Sequence, residues 1–476
     1  MRVIGGVMES QHTARRPTLD RRRLLMLAGS APLAGCAAVP DVDDYLAMGH
    51  EAALRRSLLG SAAARVGRSS PAPPPDEAEV SAALQRQYEV QLALSESPMK
   101  FGNQATVLPT AADAFAAIFK AMHAARDHIN LEYFVLADVR CNNESLGDVL
   151  RERLGAGVAV NVIYDSYGSK ETPREFFDSL RTAGARVVEF NPLDPLAART
   201  GWSPNDRDHR KIMVVDGSIG FTGGVNLDRA YENPPSAGLP ANGDTDNAFW
   251  RDTAVRLEGP AVAELQKLFF LSWQNQKGPP TAPAHYFPPL PRRGVQTVRI
   301  IGSVPGEQRP LYFISLITAI RSARWRIWAS SGYFLPPHQE REALSAAAAA
   351  GVDVRLVTPS HSDVQSAVYA ARAAYGDLLE SGARIWEVQN AVLHSKLVTV
   401  DGIWSVIGSS NLDRRSVVFN NEVDAIILGR DTAGQVETIL RRDIAASREV
   451  TQAAWSHRSI NERMHEVAAR VWQYWM

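Results

Sequence analysis

Residues 209–216 read His-Arg-Lys-Ile-Met-Val-Val-Asp, and residues 394–401 read His-Ser-Lys-Leu-Val-Thr-Val-Asp. In both places six residues follow the aspartate, and then come Gly-Gly-Val-Asn at 223–226 and Gly-Ser-Ser-Asn at 408–411. Both copies fit the pattern His-x-Lys-x4-Asp-x6-Gly-x2-Asn without adjustment. A single chance match in a chain of this length is expected about once in ten thousand chains of average composition. Two matches therefore indicate a duplicated segment that carries chemistry.

The spacing inside the motif suits a phosphate group. Residues 212–215 and 397–400 are β-formers, so the His and Lys of each copy are expected on one strand. Side chains two positions apart on a strand share a face, with Cα atoms about 7 Å apart. A phosphoryl group fits between them, with imidazole at phosphorus and ammonium at a non-bridging oxygen. Asn226 and Asn411 are predicted to donate amide hydrogens to phosphate oxygens, beside glycines that let the backbone approach.

The motif aspartates, Asp216 and Asp401, are each followed by glycine. Asp-Gly between two β runs is a hairpin signal. We therefore predict that both aspartates act mainly in the turn.

The segments that precede the two motifs repeat each other. Each half holds three short apolar runs separated by helical patterns, at residues 129–136, 158–164 and 184–190 and at residues 326–334, 352–357 and 382–388. Short apolar strands that alternate with helices predict an α/β fold with its sheets covered on both faces.

Proline-rich stretches divide the chain. The predicted parts are a signal peptide (1–35), a helical region with a proline-rich tether (36–99), a first domain (100–277), a proline-rich linker (278–295) and a second domain (296–476).

The N-terminus is predicted to be an export signal. Arginines at 21–23 precede the apolar residues 24–34, and Leu-Ala-Gly-Cys at 33–36 resembles the lipobox of bacterial lipoproteins, with Cys36 as the lipidated residue. The paired arginines also resemble a twin-arginine signal. With Ala37 next, we expect a lipid-anchored, periplasm-facing protein of the bacterial cell envelope, at the outer membrane. The alternative is the start of a buried helix in a soluble protein.

Composition and charge narrow the class of protein. The chain is 45% hydrophobic and 22% charged, as in ordinary globular proteins, and no apolar run reaches the roughly 18 residues of a membrane span. Residues 1–35 hold six Arg and two acidic residues, so the remaining body carries a formal charge of −5. Such a body lacks the basic field of a general nucleic-acid binder. With Cys36 lipidated, Cys141 has no partner, which excludes a disulfide framework and a cysteine metal site.

The two motifs resemble the HKD motifs of the phospholipase D superfamily. Within that superfamily, residues 208–217, 257–262 and 406–416 resemble bacterial cardiolipin synthases. The resemblance implies two phospholipase D-like α/β/α domains related by a pseudo-twofold axis, with one active site at their interface, so that no oligomer is required. It also implies that no metal or other cofactor takes part. The N-terminus departs from the family, since many cardiolipin synthases begin with membrane-spanning helices.

The resemblance further implies a covalent phosphohistidine intermediate. By family precedent His209 is the nucleophile and His394 the acid and base, although the near-symmetric motifs permit the reverse.

In simpler members of the family an acidic residue downstream of the motif holds the other nitrogen of each histidine. Glu422, 28 positions after His394, fits this role. The counterpart for His209 is Asp252, with Asp246 as a competitor in the loop 231–247; each acid has the alternative of being a surface carboxylate. The predicted site residues are therefore His209, Lys211, Asp216, Asn226, Asp252, His394, Lys396, Asp401, Asn411 and Glu422.

Two further segments are weaker candidates. His361 is expected in a loop after a strand, where a solvated position is the simpler interpretation. Residues 460–476 have an amphipathic helical pattern whose default role is packing.

The functional hypotheses are a phosphatidyltransferase that forms cardiolipin from phosphatidylglycerol or a related donor, a phospholipase D that passes the same intermediate to water, and a nuclease-like phosphodiesterase. A non-catalytic lipid-binding lipoprotein is a fourth, disfavoured because both motifs are intact. The anchor signal and acidic body favour a phospholipid substrate at a membrane surface, and no nucleic acid is expected as a partner.

Overall fold

A continuous β-sheet runs through both halves of the chain. The computed structural model describes residues 39–43, 75–93, 97–194, 202–307, 309–459 and Met464. The predicted export signal, Cys36, most of the proline-rich tether and, apart from Met464, the C-terminal segment 460–476 lie outside the described residues.

In the first half, short strands alternate with helices. The strands are β1 (Lys100–Leu108), β2 (His128–Tyr133), β3 (Arg140–Cys141), β4 (Glu144–Ser145), β5 (Ala159–Asp165), β6 (Arg186–Phe190), β7 (Arg207–Asp208), β8 (Lys211–Val215), β9 (Ile219–Gly223), β10 (Trp250–Arg251) and β11 (Ala254–Glu258). The helices are α1 (Glu77–Ala93), α2 (Ala111–Ala124), α3 (Leu146–Gly155), α4 (Arg174–Thr182) and α5 (Val262–Asn275).

The second half follows the same plan. Its strands are β12 (Gln296–Ser303), β13 (Arg326–Ser331), β14 (Phe334–Leu335), β15 (Asp353–Pro359), β16 (Arg384–Val388), β17 (Val392–Leu393), β18 (Lys396–Val400), β19 (Trp404–Gly408), β20 (Leu412–Asp413), β21 (Asn420–Leu428) and β22 (Ser447–Val450). Its helices are α6 (Leu311–Ser322), α7 (His338–Ala349), α8 (Gln365–Arg372), α9 (Tyr375–Glu380), α10 (Arg414–Val418), α11 (Arg430–Ala445) and α12 (Gln452–Ser456).

The order of the strands reverses about the centre of the sheet. From one edge it reads β6-β5-β2-β8-β9-β11-β1, and it continues as β12-β21-β19-β18-β13-β15-β16-β22. The strand β2 is parallel to β5 and antiparallel to β8, and β13 has the same relations to β15 and β18. Antiparallel pairing of β1 with β12 joins the two halves. The predicted α/β fold with a pseudo-twofold repeat is therefore confirmed.

The first motif strand, β8, packs against helices on both faces. Met213 belongs to the same buried apolar cluster as Ile118 of α2. Its neighbour Val214 points the other way and shares a cluster with Leu265 of α5. Burying an aliphatic side chain of this size contributes roughly 1.5–3 kcal/mol. Alternation along the strand thus places helices on both faces of the sheet, as the sequence predicted.

The proline-rich segment 278–295 lies against the first half. A Cβ at Gly217, in the turn between β8 and β9, would stand 2.5 Å from Cδ of Pro288 and 2.7 Å from the carbonyl oxygen of Tyr286. The φ of +61° at Gly217 also favours glycine. One sheet runs through both halves. The predicted domain boundaries stay a prediction.

Among the helices that the structure describes, none is both long enough and apolar enough to cross a bilayer.

Candidate active site

The two motif histidines lie side by side at one edge of the sheet. His209 and His394 immediately precede β8 and β18, and both side chains are buried. Their ring centroids are 6.4 Å apart, and the rings are inclined at 77°. Two imidazoles at this distance can reach a single phosphoryl group from different sides.

Short parallel strand pairs between the halves bring the histidines together. β7 pairs with the start of β21, and β10 pairs with β17. The backbone N–H of His209 donates to the carbonyl of Asn421 at 2.9 Å, and that of His394 donates to Arg251 at 2.8 Å. Each motif is therefore held by a strand of the opposite half.

These strand pairs between the halves determine which acid bonds to which histidine. Nδ1 of His209 lies 3.0 Å from both carboxylate oxygens of Glu422, and Nδ1 of His394 lies 2.7 Å from Oδ2 of Asp252. The expectation that each histidine pairs with the acid of its own half is wrong. The reason is that β21 and β10 cross to the other half. Asp246, the alternative to Asp252, is exposed in its loop.

The two acids have different surroundings. Glu422 accepts the hydroxyl hydrogen of Ser409 and a hydrogen of the Asn420 amide, the latter at 3.0 Å. Burial raises the pKa of Glu422 to about 7, although the charge of Lys211 opposes the shift. A carboxylate in this state holds its histidine with a charge that changes near neutral pH.

The charged form of Asp252 is favoured more than that of Glu422. Burial favours its neutral form, but the hydrogen bond with His394 and the charge of Lys396 outweigh burial, and the pKa of Asp252 is lowered overall. Its Oδ2 also accepts the hydroxyl hydrogen of Tyr231 at 2.7 Å, and its Oδ1 accepts the backbone N–H of Thr253 at 2.7 Å. The two histidines thus sit beside carboxylates of different basicity.

The motif lysines point into the same region. Nζ of Lys211 donates to the carbonyl of His209 at 2.7 Å, and Nζ of Lys396 donates to the carbonyl of His394. Burial lowers the pKa of Lys211 to about 7 and that of Lys396 to about 8. Burial also lowers the pKa of both histidines, and Lys211 and Lys396 add to this effect. The site therefore concentrates positive groups, an arrangement that an anion stabilises.

The motif asparagines occupy matching positions. Oδ1 of Asn226 accepts the backbone N–H of Val135 at 3.3 Å, and Oδ1 of Asn411 accepts that of Tyr333 at 3.3 Å. Because the oxygen faces the backbone, the N–H₂ end of each amide is directed elsewhere and can serve as a donor.

The motif aspartates lie at the far ends of their strands. Asp216 accepts the backbone N–H groups of residues 126–128, and Asp401 accepts those of residues 324–326. Both aspartates have a left-handed φ, +50° and +54°. Their observed contacts are those of turn residues that tie the hairpin to the preceding strand.

The motif pattern did not identify several side chains around the histidines. The ring of Phe134 packs on His209 with centroids 5.1 Å apart, and Trp250 packs on His394 at 5.4 Å. Ser409 lies inside the second motif and Tyr231 five residues beyond Asn226, so closeness to the motif was the available signal. His361 bonds Ser360 through Nδ1 and is partly exposed in the loop after β15.

Within the described residues, no three His, Cys, Asp or Glu side chains form a group suited to one metal ion.

Comparison with known proteins points to one family. The family model described as "Cardiolipin synthase, PLD-like domain" matches residues 118–233 and 316–444. The chain is 32% identical to a cardiolipin synthase of Geobacillus thermodenitrificans over 79% of this chain and 73% of that one. It is 34% identical to cardiolipin synthase A of Pseudomonas syringae pv. syringae, over 79% and 75%.

Among solved structures, the fold is similar to that of phosphatidylserine synthase from Haemophilus influenzae. The TM-score is 0.58 at 12% identity, covering 81% of this chain and 97% of the other. Since both parts of the family model match and the relatives align over most of their length, the chain belongs to the family of cardiolipin synthases with a phospholipase D-like domain.

Proposed function

We propose that this protein is a phosphatidyltransferase that forms cardiolipin from phosphatidylglycerol or a related phospholipid. The observation that carries the proposal is the pair of histidines 6.4 Å apart, each bonded through Nδ1 to a buried carboxylate. The relatives that this chain matches over most of their length are named cardiolipin synthases, which supports the choice of product.

In the proposed first step, Nε2 of His209 attacks phosphorus and the bond to the leaving alcohol breaks. His394 gives its Nε2 proton to the leaving oxygen. In the second step the hydroxyl of the acceptor loses its proton to His394 and attacks phosphorus, which releases His209. The crossed carboxylates, Glu422 and Asp252, hold Nδ1–H on each ring, so that Nε2 is the nitrogen that faces the substrate.

The lysines and asparagines are proposed to bind the phosphoryl oxygens. Lys211 and Lys396 supply charge, and Asn226 and Asn411 supply amide donors, so that negative charge on the pentacoordinate centre is stabilised from several sides. Lysine and amide donors thereby perform the charge stabilisation that metal ions perform in many other phosphoryl transfers.

The test is to incubate the purified protein with phosphatidylglycerol liposomes, with and without phosphatidylethanolamine, and to identify the lipids by mass spectrometry. Cardiolipin is expected from the wild type and from His457→Ala, a control at an exposed histidine. His209→Ala and His394→Ala are expected to lose product by at least about a thousandfold. Phosphatidic acid alone would identify a hydrolase, and no lipid product with cleavage of a nucleic-acid substrate would identify a nuclease.

We further propose that the edge of the sheet that holds the histidines faces a membrane. Four exposed apolar side chains, between 37 and 46% accessible, follow strands that end at this edge: Tyr167, Leu193, Val304 and Val364. Exposed apolar side chains grouped around a site favour contact with lipid.

Liposome sedimentation tests this orientation. Replacing these four side chains by serine is expected to weaken binding to phosphatidylglycerol vesicles several-fold. A matched control replaces Phe287 and Val295, exposed apolar residues near the opposite ends of the strands, and is expected to bind like the wild type. Equal weakening by both sets would contradict the proposed orientation.

The proposed location follows from the lipobox-like residues 33–36 and Ala37. Lipidation of Cys36 would hold the protein at the periplasmic face of the outer membrane. Metabolic labelling with a fatty acid, compared between the wild type and Cys36→Ser, tests the anchor. Label that persists in the variant would refute it.

A further inference from the structure

The hydroxyl of Tyr231 closes a three-membered hydrogen-bonded ring beside one of the two histidines. Its Oη lies 2.7 Å from Oδ2 of Asp252 and 2.9 Å from Nδ1 of His394. The same Oδ2 lies 2.7 Å from the same Nδ1. Three polar atoms of three buried side chains therefore contact one another.

The protons available to this ring permit one arrangement. An ionised Asp252 can only accept, so the single phenolic hydrogen of Tyr231 points to Oδ2. The oxygen of the phenol then faces Nδ1 of His394 with its lone pairs. Nδ1 must carry a hydrogen to satisfy both oxygens, which leaves Nε2 of His394 as the nitrogen that gains and loses a proton.

Local structure holds the phenol in this position. Tyr231 lies in a 3₁₀ turn, Arg229–Glu232, whose first residue is preceded by Asp228; the side chain of Asp228 accepts the backbone N–H of Ala230 at 3.1 Å. The ring of Tyr231 packs against Trp250 with centroids 5.5 Å apart. Burial and the charge of Asp252 raise the pKa of Tyr231 well above its ordinary value, so it remains a donor.

The other histidine has a different arrangement. Ser409 and Asn420 donate to the carboxylate of Glu422, and Nδ1 of His209 contacts both oxygens of that carboxylate. No third residue in the described part of the chain bridges Nδ1 of His209 and Glu422 as Tyr231 bridges the opposite pair. The two halves of a nearly symmetric site therefore differ at this hydroxyl.

We propose that Tyr231 is a positioning residue that fixes the Nδ1–H tautomer of His394 and weakens the hydrogen bond between Asp252 and His394. His394 can then serve as the acid of the first step and the base of the second. The proposal rests on the proposed function. The proton balance is closed: His394 gives one proton to the leaving oxygen in the first step and takes one from the acceptor in the second. Tyr231 keeps its proton and Asp252 stays ionised throughout.

The test is Tyr231→Phe, which keeps the ring and removes the hydroxyl. Oδ2 of Asp252 then bonds His394 alone, and a stronger ionic hydrogen bond raises the pKa of that imidazole. After the first step His394 must stay neutral to act as a base. With a higher pKa it is reprotonated from solvent, so the second step slows.

The expected result is a kcat lower by about tenfold, with the KM for the donor lowered in proportion, so that kcat/KM for the donor is unchanged. The limb of the pH profile that reports neutral His394 is expected to move to higher pH. The phosphohistidine on His209 is expected to accumulate, which intact-protein mass spectrometry of rapidly quenched samples detects.

Tyr375→Phe is the matched control. Tyr375 is another fully buried tyrosine whose hydroxyl bonds Thr358 at 2.8 Å and lies 3.4 Å from the carboxylate of Glu387, outside the motifs. It is expected to lose similar stability but to keep the pH profile of the wild type. A Tyr231→Phe profile that matches the wild type, with no accumulated intermediate, would overturn the proposal.

A second measurement covers the case in which Tyr231→Phe does not fold. Nitrogen NMR of the ¹⁵N-histidine-labelled wild type is expected to show His394, assigned with His394→Ala, protonated at Nδ1 at neutral pH. Protonation at Nε2 alone would overturn the proposal. A wild type that releases no cardiolipin would instead refute the proposed function, so the two failures are distinguishable.

Discussion

The charge of the two buried lysines depends on whether the active site binds a phosphoryl anion. The pKa values of Lys211 and Lys396, about 7 and about 8, lie well below that of an ordinary lysine because burial disfavours the ammonium form. A bound phosphoryl anion favours that form again, since opposite charges at close range stabilise each other. Substrate binding and proton uptake are therefore coupled.

This coupling predicts how an inert anion inhibits the enzyme. Sulfate keeps its charge between pH 6 and pH 9, so any change of its affinity with pH reflects the titration of groups on the protein. Well below pH 7 both lysines are already charged and add no pH dependence to the affinity. As pH rises through about 7 to 8 the free site loses lysine charge that the complex retains, and affinity falls by up to about tenfold per pH unit for each proton taken up. The inhibition constant of sulfate, measured against pH, checks this.

Lys211→Arg with Lys396→Arg is the matched control. A guanidinium stays charged throughout this range, so the lysine contribution is removed and the inhibition constant of the double variant is expected to rise less steeply above pH 7. An equally steep dependence in the double variant would assign the titration to other groups.

The hairpin β8–β9 shows how one element joins a motif to the fold. Asp216 stands at its turn and accepts three backbone N–H groups from residues 126–128, just before and at the start of β2. Lys211 stands at the other end of the same strand. One strand therefore carries a binding residue at one end and a structural residue at the other, within a single motif.

Asp216→Asn is predicted to lower stability and spare catalysis. Asparagine tolerates the left-handed φ of +50°, but it offers one oxygen where the carboxylate offered two. The expected loss is about 1–3 kcal/mol in the free energy of unfolding by urea. The exposed Asp178, paired with Arg181 on α4, gives the control Asp178→Asn, with a change below about 0.5 kcal/mol. Lost turnover at unchanged stability would instead make Asp216 catalytic.

Local patterns predicted these elements because their causes are local. The β-formers and Asp-Gly pairs of both motifs became the hairpins β8–β9 and β18–β19, and the three apolar runs of each half contain strands of the sheet. The pairing of Glu422 with His209 could not be predicted in this way, because these residues are 213 positions apart. Tyr231 lies in a loop whose proline, glycine and asparagine content carries no periodic pattern.

Within the described part of the chain, three strand pairings connect the halves: β1 with β12, β7 with β21, and β10 with β17. Separating the halves would break all three. It would also leave His209 and Glu422, both buried, without each other, and removing one member of such a pair from a buried site is strongly destabilising. The two halves are therefore expected to unfold together, although many proteins with repeated domains do not.

Cooperative unfolding can be tested with one core variant in each half. Leu150→Ala in α3 and Leu344→Ala in α7 each remove a buried side chain and are expected to cost about 2–5 kcal/mol. Hydrogen exchange followed by mass spectrometry across a urea series reports peptides of both halves separately. Because the halves share a sheet and exchange strands at the active site, each variant is expected to lower the midpoint of both halves equally. A variant that unfolds its own half while the other keeps its protection would show that the sheet does not couple the halves, and that the active site forms only when two independently stable halves dock.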